Sequence, residues 1–502
     1  MVVALGAALL GPASAQAVAE TLPLGDACLQ PQTPPQGIIS MSPNVEHLGT
    51  LMGEAASMDA GGRLVGHYFY VTGATHFSIY DVAKPEEPKL VSRVDFPCRF
   101  ENEDVTGNDN LLIYSDFATT GDLYVYDVSD KAHPKLVSDT PGAGTHTAEC
   151  VDDCHYLYGS YTAVGPVGPL SGGKVTDLSD PAKPKVLGDW TDNGVLESRK
   201  VHDVTAVAPG RIITASAPIE YLDISGTDKA KPKVLARSDT ASDHRYHTAI
   251  YPRGGRDKFM LAMYETNGTP RCEADSGEFT VFDATQWPAT GKFKPLHSFY
   301  LSNGDFADGN PGVNAGLGCS PHWFNVRPSW NDGGVVAMGA YDHGAKFLRV
   351  DGAGNISEVG HFLAPGTNAS GAYWITCNIV YVVDYTRGVD VLRFKDPATE
   401  CPPPATPETP ASGQSLPTTT PATTAPPKRC THERSFRILL PRGARSARVF
   451  VGGRRAKVTR HRRLSALIRL RGQRGSVVTV RIRTVLRSGR TTTHTRRYRI
   501  CP

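Results

Sequence analysis

No stretch of the 502-residue chain holds about 20 consecutive apolar residues, so no segment reads as a membrane-spanning helix. The 10 cysteines include no pair of Cys-x-x-Cys knuckles, which argues against a zinc site built on four thiolates. Acid is nearly missing from the C-terminal end: from Lys428 onward there are 23 Lys or Arg and one acid, Glu433. That segment also lacks aromatic residues interleaved among its arginines and any known nucleic-acid-binding motif, which makes nucleic acid an unlikely partner. Its net charge of +22, set against +3 for the whole chain, leaves −19 for the residues before it. The sequence is therefore an acidic body with a basic tail.

The N-terminus begins with an apolar run, Val2 to Leu10, followed by small residues from Ala13 to Ala17. That pattern reads as a secretory signal over 1–17, with an N-terminal segment over 18–42. An even number of cysteines agrees with a secreted or cell-envelope-associated, extracytoplasmic protein that carries disulfides. Cys150 and Cys154 have a turn-like spacing, Cys272 with Cys319 is a plausible pair, and Cys430 with Cys501 brackets the basic tail. Cys28, Cys98, Cys377 and Cys401 cannot be paired from the sequence.

Between 43 and 400 one pattern recurs. A first strand is followed by an apolar second strand that ends in a turn, a third strand has the form apolar-x-apolar-Asp-apolar, and a Pro/Lys-rich turn leads to a strand that begins Pro-Lys. Clear copies are Ser78-Ile79-Tyr80-Asp81-Val82 before Pro88-Lys89, and Tyr124-Val125-Tyr126-Asp127-Val128 before Pro134-Lys135. Val175-Thr176-Asp177-Leu178 and Tyr221-Leu222-Asp223-Ile224 are two more. Short β-branched and aromatic runs broken by Gly, Pro and Asp read as antiparallel strands, and the repeat length suits propeller blades. Seven such second strands can be counted, from Tyr68-Phe69-Tyr70-Val71 to Val380-Tyr381-Val382-Val383. The last repeat lacks an outer strand before the Pro-rich stretch, and Pro43 to Gly49 has the pattern of that strand. The predicted fold is all-β, a seven-bladed β-propeller closed by an N-terminal strand, since closure removes exposed sheet edges.

These residues resemble the LVIVD-repeat family of secreted bacterial β-propellers over roughly 45–394. The likeness is closest in the first four repeats, whereas Val281-Phe282-Asp283-Ala284 and Arg349-Val350-Asp351 only approximate the motif. The resemblance implies fold and export; it does not imply a reaction.

Residues 401–428 are rich in Pro and Thr and read as an extended linker. Beyond it, 429–502 alternates apolar with basic residues in Phe436 to Leu440, Ala447 to Val451, Leu467 to Leu470 and Val478 to Ile482. Period-two alternation predicts a small basic β-sandwich-like domain, with an anionic cell-envelope polymer as its candidate partner.

Five residues occupy the same place in consecutive repeats: Glu103, His146, His202, His247 and His322. In a propeller the first strand of each blade lines the central channel, so these side chains are expected to converge there. Four neutral imidazoles suit a transition metal ion such as Fe, Cu, Zn or Mn, with Glu103 as a fifth ligand or a partner that orients an imidazole. The two remaining positions hold Ser370 and a residue among Ala55-Ala56-Ser57, so the ligands should crowd one arc and leave the opposite side open. Asp203, Asp104 and His244 are candidates for the surrounding layer. Tyr264-Glu265, Asp342-His343 and Asp384-Tyr385 end second strands near one rim and read chiefly as turn formers, with pocket lining as the alternative. If the protein is an enzyme, a metal-dependent oxidoreductase is the leading class. The rival is a non-enzymatic binding or adhesion propeller whose channel histidines are structural and which its basic domain tethers to the envelope.

Overall fold

The computed structural model describes residues 37–51, 59–99, 103, 105–116, 120–163, 170–191, 201–240, 246–265, 277–301 and 319–396 of the larger part of the chain. In the C-terminal part it describes 430–431, 435–439, 444–451, 454–460, 464–469, 477–486 and 491–500. Two units separate, Met1–Thr418 and Thr419–Pro502. The expected signal segment 1–17, most of 18–42 and the linker 401–428 lie outside the described residues, as do Asp104, His244 and 55–57.

The larger unit is built from four-stranded antiparallel meanders that follow one another along the chain, over 59–95, 106–140, 148–189, 203–238, 246–300 and 324–363. A further sheet combines three strands from 369–394 with an N-terminal one. The recurrent aspartate explains how each meander turns its outer corner. Asp81, Asp127, Asp177 and Asp223 each end the third strand, and each accepts a hydrogen bond from the backbone N–H two residues on, at 2.8–2.9 Å. Asp283 and Asp351 make the same bond at 2.7 and 2.8 Å, although their motifs are the least regular in sequence. A carboxylate that satisfies its own turn competes with continuation of the strand, so the chain reverses there.

Val45–Leu51 pairs antiparallel with Gly388–Phe394, from Val45 opposite Phe394 to Leu51 opposite Val389. The N-terminal strand thus supplies the outer edge that the last sheet lacks. Two features were not foreseen. Ser40–Met41 adds to the outer edge of Ile356–Leu363, which extends the ordered structure upstream of the expected start at 43. The meanders 203–238 and 246–300 also join into one eight-stranded sheet through parallel pairing of Arg237 and Ser238 with Lys292 and Phe293.

The core lies between meanders. Phe77, Ile79, Leu112 and Tyr126 fill the space between the first two, Ile113, Val125 and Leu157 the next, and Tyr158, Val175, Val204 and Ile212 the one after. Ile213 and Phe282, then Leu261 and Val336, then Phe347 and Val382 continue the series. Phe69 and Val71 of the first meander pack against Tyr381 and Val383 of the last sheet. The second strands bury nearly every side chain on both faces, which is why they read as continuous apolar runs.

Cys150 and Cys154 form a disulfide. Cys98, Cys319 and Cys377 are also disulfide-bonded, while Cys272, the partner expected for Cys319, is outside the described residues. The described residues contain no helix long and apolar enough to cross a membrane.

The smaller unit has two sheets. One orders Cys430–Thr431, Thr491–Ile500, Val477–Leu486, Ala444–Val451 and Arg454–Ala456; the other orders Ser435–Leu439, Leu464–Arg469 and Val458–Arg460. Val449, Val480 and Ile482 of the first meet Ala466 and Ile468 of the second in a shared core. The expected Cys430–Cys501 bond lies outside the described side chains.

Candidate metal centre

Glu103, His146, His202, His247 and His322 each stand in or just before the innermost strand of their meander, and the fold places them in the same register. His146, His202 and His322 donate their backbone N–H to Tyr161, Ala215 and Gly339 at the end of the neighbouring strand, at 2.8–3.0 Å. Threonines tie one histidine's strand to the next: Thr147 Oγ1 donates to the His202 carbonyl at 2.8 Å, and Thr248 Oγ1 to the His322 carbonyl at 3.3 Å. All five side chains are buried, the histidines at no more than 1% exposure and Glu103 at 4%.

Their ligand atoms converge. His146 Nε2 lies 3.1 Å from His202 Nε2 and 3.6 Å from Glu103 Oε2. His247 Nε2 is 3.4 Å from Glu103 Oε2, and His322 Nε2 is 3.3 Å from Glu103 Oε1. Ligands bound at 2.0–2.1 Å in a tetrahedron stand about 3.3–3.4 Å apart, so each of these pairs is spaced like two ligands of one ion, although no single group of donors contains all four imidazoles. Donor atoms within 4.8 Å of one another form three overlapping groups: Glu103 with His146 and His202, Glu103 with His247 and His322, and His202 with His247 and Glu265.

Two tautomers follow from the hydrogen bonds. His322 Nδ1 is 2.9 Å from the Ser370 carbonyl oxygen, which can only accept, so Nδ1 carries the proton. Thr248 Oγ1 spends its one proton on the His322 carbonyl, so it must accept from His247 Nδ1 at 3.0 Å. When neutral, both imidazoles therefore turn a bare Nε2 lone pair toward the Glu103 carboxylate. Glu103 Oε2, His247 Nε2 and His322 Nε2 have no hydrogen-bond partner among the described residues. Three buried acceptors facing one another are costly unless a cation lies between them.

The electrostatics carry the same signature. Burial opposes ionisation of Glu103, but the surrounding imidazoles, His322 and His146 foremost, outweigh it and hold the carboxyl well below its usual range. Burial, reinforced by His322, pushes His247 down to about 3. Burial would lower His322 as well, yet the Glu103 charge raises it.

Several expectations need correction. Glu265 is no turn former: it is buried, its Oε2 lies 3.8 Å from His247 Nε2, and its Oε1 accepts from the Tyr341 hydroxyl. Tyr385 also faces the cluster, its hydroxyl donating to Glu103 Oε1 at 3.2 Å, whereas its neighbour Asp384 does cap a turn through Thr386 and Arg387. Asp342 and His343 pair with each other at 2.6 Å. Asp203 is buried next to His202, and burial, with Glu149 and Glu103 nearby, raises its carboxyl well above the usual range. On the side expected to be open, Ser370 Oγ donates to the Ala60 carbonyl, and Tyr341 and Tyr385, their rings 6.2 Å apart, pack with Ala60, while 55–57 lie outside the described residues. Tyr161 closes another flank by stacking on His146 at 4.9 Å.

No known family profile and no curated protein matches the chain. Among solved structures, the N-terminal domain of Nup159 is similar at 9% identity and a TM-score of 0.42, covering 72% of this chain and 98% of that one. The extracellular domain of the hybrid two-component system BT3049 from B. thetaiotaomicron is similar at 10% identity and a TM-score of 0.39, covering 92% and 58%. Neither likeness bears on function.

Proposed function

We propose that the chain is an exported seven-bladed β-propeller of the LVIVD type that holds one transition metal ion on His146, His202, His247, His322 and Glu103 in its central channel. The apolar layers between successive meanders, the layer between 59–95 and 369–394, and the closing strand Val45–Leu51 support the propeller reading. The observation that carries the metal reading is the pair of committed Nδ1–H groups on His247 and His322, which leaves two lone pairs aimed at a buried carboxylate. Iron, copper, zinc and manganese all accept imidazole and carboxylate donors.

A redox role is the reaction class the surroundings favour. Tyr341 and Tyr385 donate their phenolic protons to Glu265 and Glu103, and a phenol bonded to a carboxylate can release an electron and a proton together. Burial, and then Glu265, raise Tyr341 well above the usual phenol value, so it remains a neutral donor rather than a phenolate ligand.

Thermal unfolding with and without chelator tests the metal reading. An ion at 100 times its Kd stabilises the folded state by about 2.7 kcal/mol, so chelation should lower the melting temperature by several degrees in the native chain and not in H247A/H322A. Equal melting of the native chain with and without chelator, after prolonged dialysis, would remove the proposal.

A further inference from the structure

The second feature with a chemical message is in the smaller unit, and it is independent of the metal centre. The two long strands Ala444–Val451 and Val477–Leu486 pair antiparallel, with Val449 opposite Ile482, Arg448 opposite Arg483 and Phe450 opposite Arg481. Val449 and Ile482 face the core. Side chains alternate along a strand, so Arg448, Arg481 and Arg483 share the opposite face, and all three are exposed. Arg455, also exposed, pairs with Phe450 and extends this face onto the edge strand.

A face built this way repels itself. Like charges directly across a strand pair destabilise the sheet, and the 75 residues from Lys428 contain one acid to offset them. The same arrangement is favourable once anions lie on it. Arg481 and Arg483 are two residues apart, about 6.6–6.8 Å along the strand, while Arg448 sits about 4.7–4.9 Å across from Arg483. Guanidinium forks at these intervals suit a linear polymer with one phosphate per short repeat.

We propose that this arginine face is a docking surface for a flexible phosphodiester polymer without bases, of the polyol-phosphate kind. Nucleic acid is the less suitable occupant. A single strand needs aromatic platforms on which bases stack, and Phe450 alone, half-buried, shares the face with the arginines. A duplex is read by an element that enters a groove, and a flat sheet face offers none.

The test uses the full-length protein, with poly(glycerol phosphate) and an oligothymidylate of equal charge as probes, followed by fluorescence anisotropy at 50 and 200 mM salt. Engagement of about four phosphates gives a slope of about −0.7 per phosphate, so affinity for the polyol phosphate should fall about 50-fold between the two salt concentrations. R481S and R483S should each reduce the slope by about 0.7, and R448S/R481S/R483S should lose more than ten-fold in affinity at 50 mM while its thermal transition is retained. Binding that ignores salt, no binding at 50 mM, or single-arginine variants with unchanged slopes would overturn the proposal. Tighter binding of the oligothymidylate would overturn the choice of polymer.

Discussion

Replacing Asp390 should detach the strand that completes the last sheet, and the size of the effect follows from its contacts. The Asp390 carboxylate accepts from Arg387 Nε at 3.0 Å and Nη2 at 3.2 Å, from His47 Nε2 at 2.9 Å and from Thr50 Oγ1 at 2.5 Å. His47 and Thr50 belong to the N-terminal strand Val45–Leu51, so one carboxylate bonds a strand some 340 residues away in sequence to its neighbour. Asp390 is 1% exposed and Arg387 4%. Asp390→Ala leaves a buried guanidinium without its counter-charge, which costs about 3–5 kcal/mol, a large part of an ordinary stability of about 5–15 kcal/mol. Asp390→Asn keeps the shape and one acceptor, and should cost about 1.5–3 kcal/mol through weakened bonds to charged donors.

The two variants also differ from the native chain in pH dependence. Burial opposes ionisation of Asp390, but hydrogen bonds from His47, Arg387 and Thr50 and the Arg387 charge hold its carboxyl below the usual range. A carboxyl whose folded value is depressed stabilises the protein above its unfolded value, about 3.9, and loses that contribution as pH falls through the folded value. The gap between native and Asn chains should therefore be full at pH 6 and close below about pH 4. Urea unfolding followed by tryptophan fluorescence reads this, since Trp374 is buried in the same sheet. An Ala variant within 1 kcal/mol of native at pH 6, or a gap that widens in acid, would refute the assigned role.

Other outcomes follow from named contacts. Thr248→Val removes the acceptor that orients His247 without touching a ligand atom, and should weaken metal binding 10–100-fold as read by chelator competition; unchanged affinity would contradict the tautomer argument. C150S/C154S opens a loop with a sequence separation of 4, so the loss of unfolded-state constraint should be no more than about 2 kcal/mol in urea unfolding. Tyr385→Phe should leave metal stoichiometry unchanged while removing the bond to Glu103 Oε1, so any oxidation catalysed by the loaded protein should slow without loss of metal; loss of the metal itself would instead make Tyr385 a structural support of the ligand.

The strands were readable because their chemistry is local. Aspartates such as Asp81 and Asp127 cap their own turns within two residues, and the apolar second strands are continuous runs, so both leave marks in short windows. The closing strand was found by elimination, since one repeat lacked an edge and Pro43 to Gly49 had no other place. The histidines were found because repetition put them in equivalent positions. Tyr341 escaped, and Glu265 and Tyr385 read as pocket lining only in second place, because their contacts join strands far apart in sequence. The Glu265 contacts to Tyr341 and His247 span 76 and 18 positions, and nothing near residue 265 encodes them. The bonds of Ser370 to Ala60 and His322 were out of reach for the same reason, since they join strands far apart in sequence.

The central claim is that four imidazoles and a carboxylate hold one ion. Metal content of the full-length protein, purified without added metal and measured by mass spectrometry alongside H247A/H322A, tests it most directly. The native chain should hold about one equivalent of a single transition metal, and the double variant, with its fold intact, close to none. A native chain without stoichiometric metal, which also fails to take up iron, copper, zinc or manganese on titration, would contradict it.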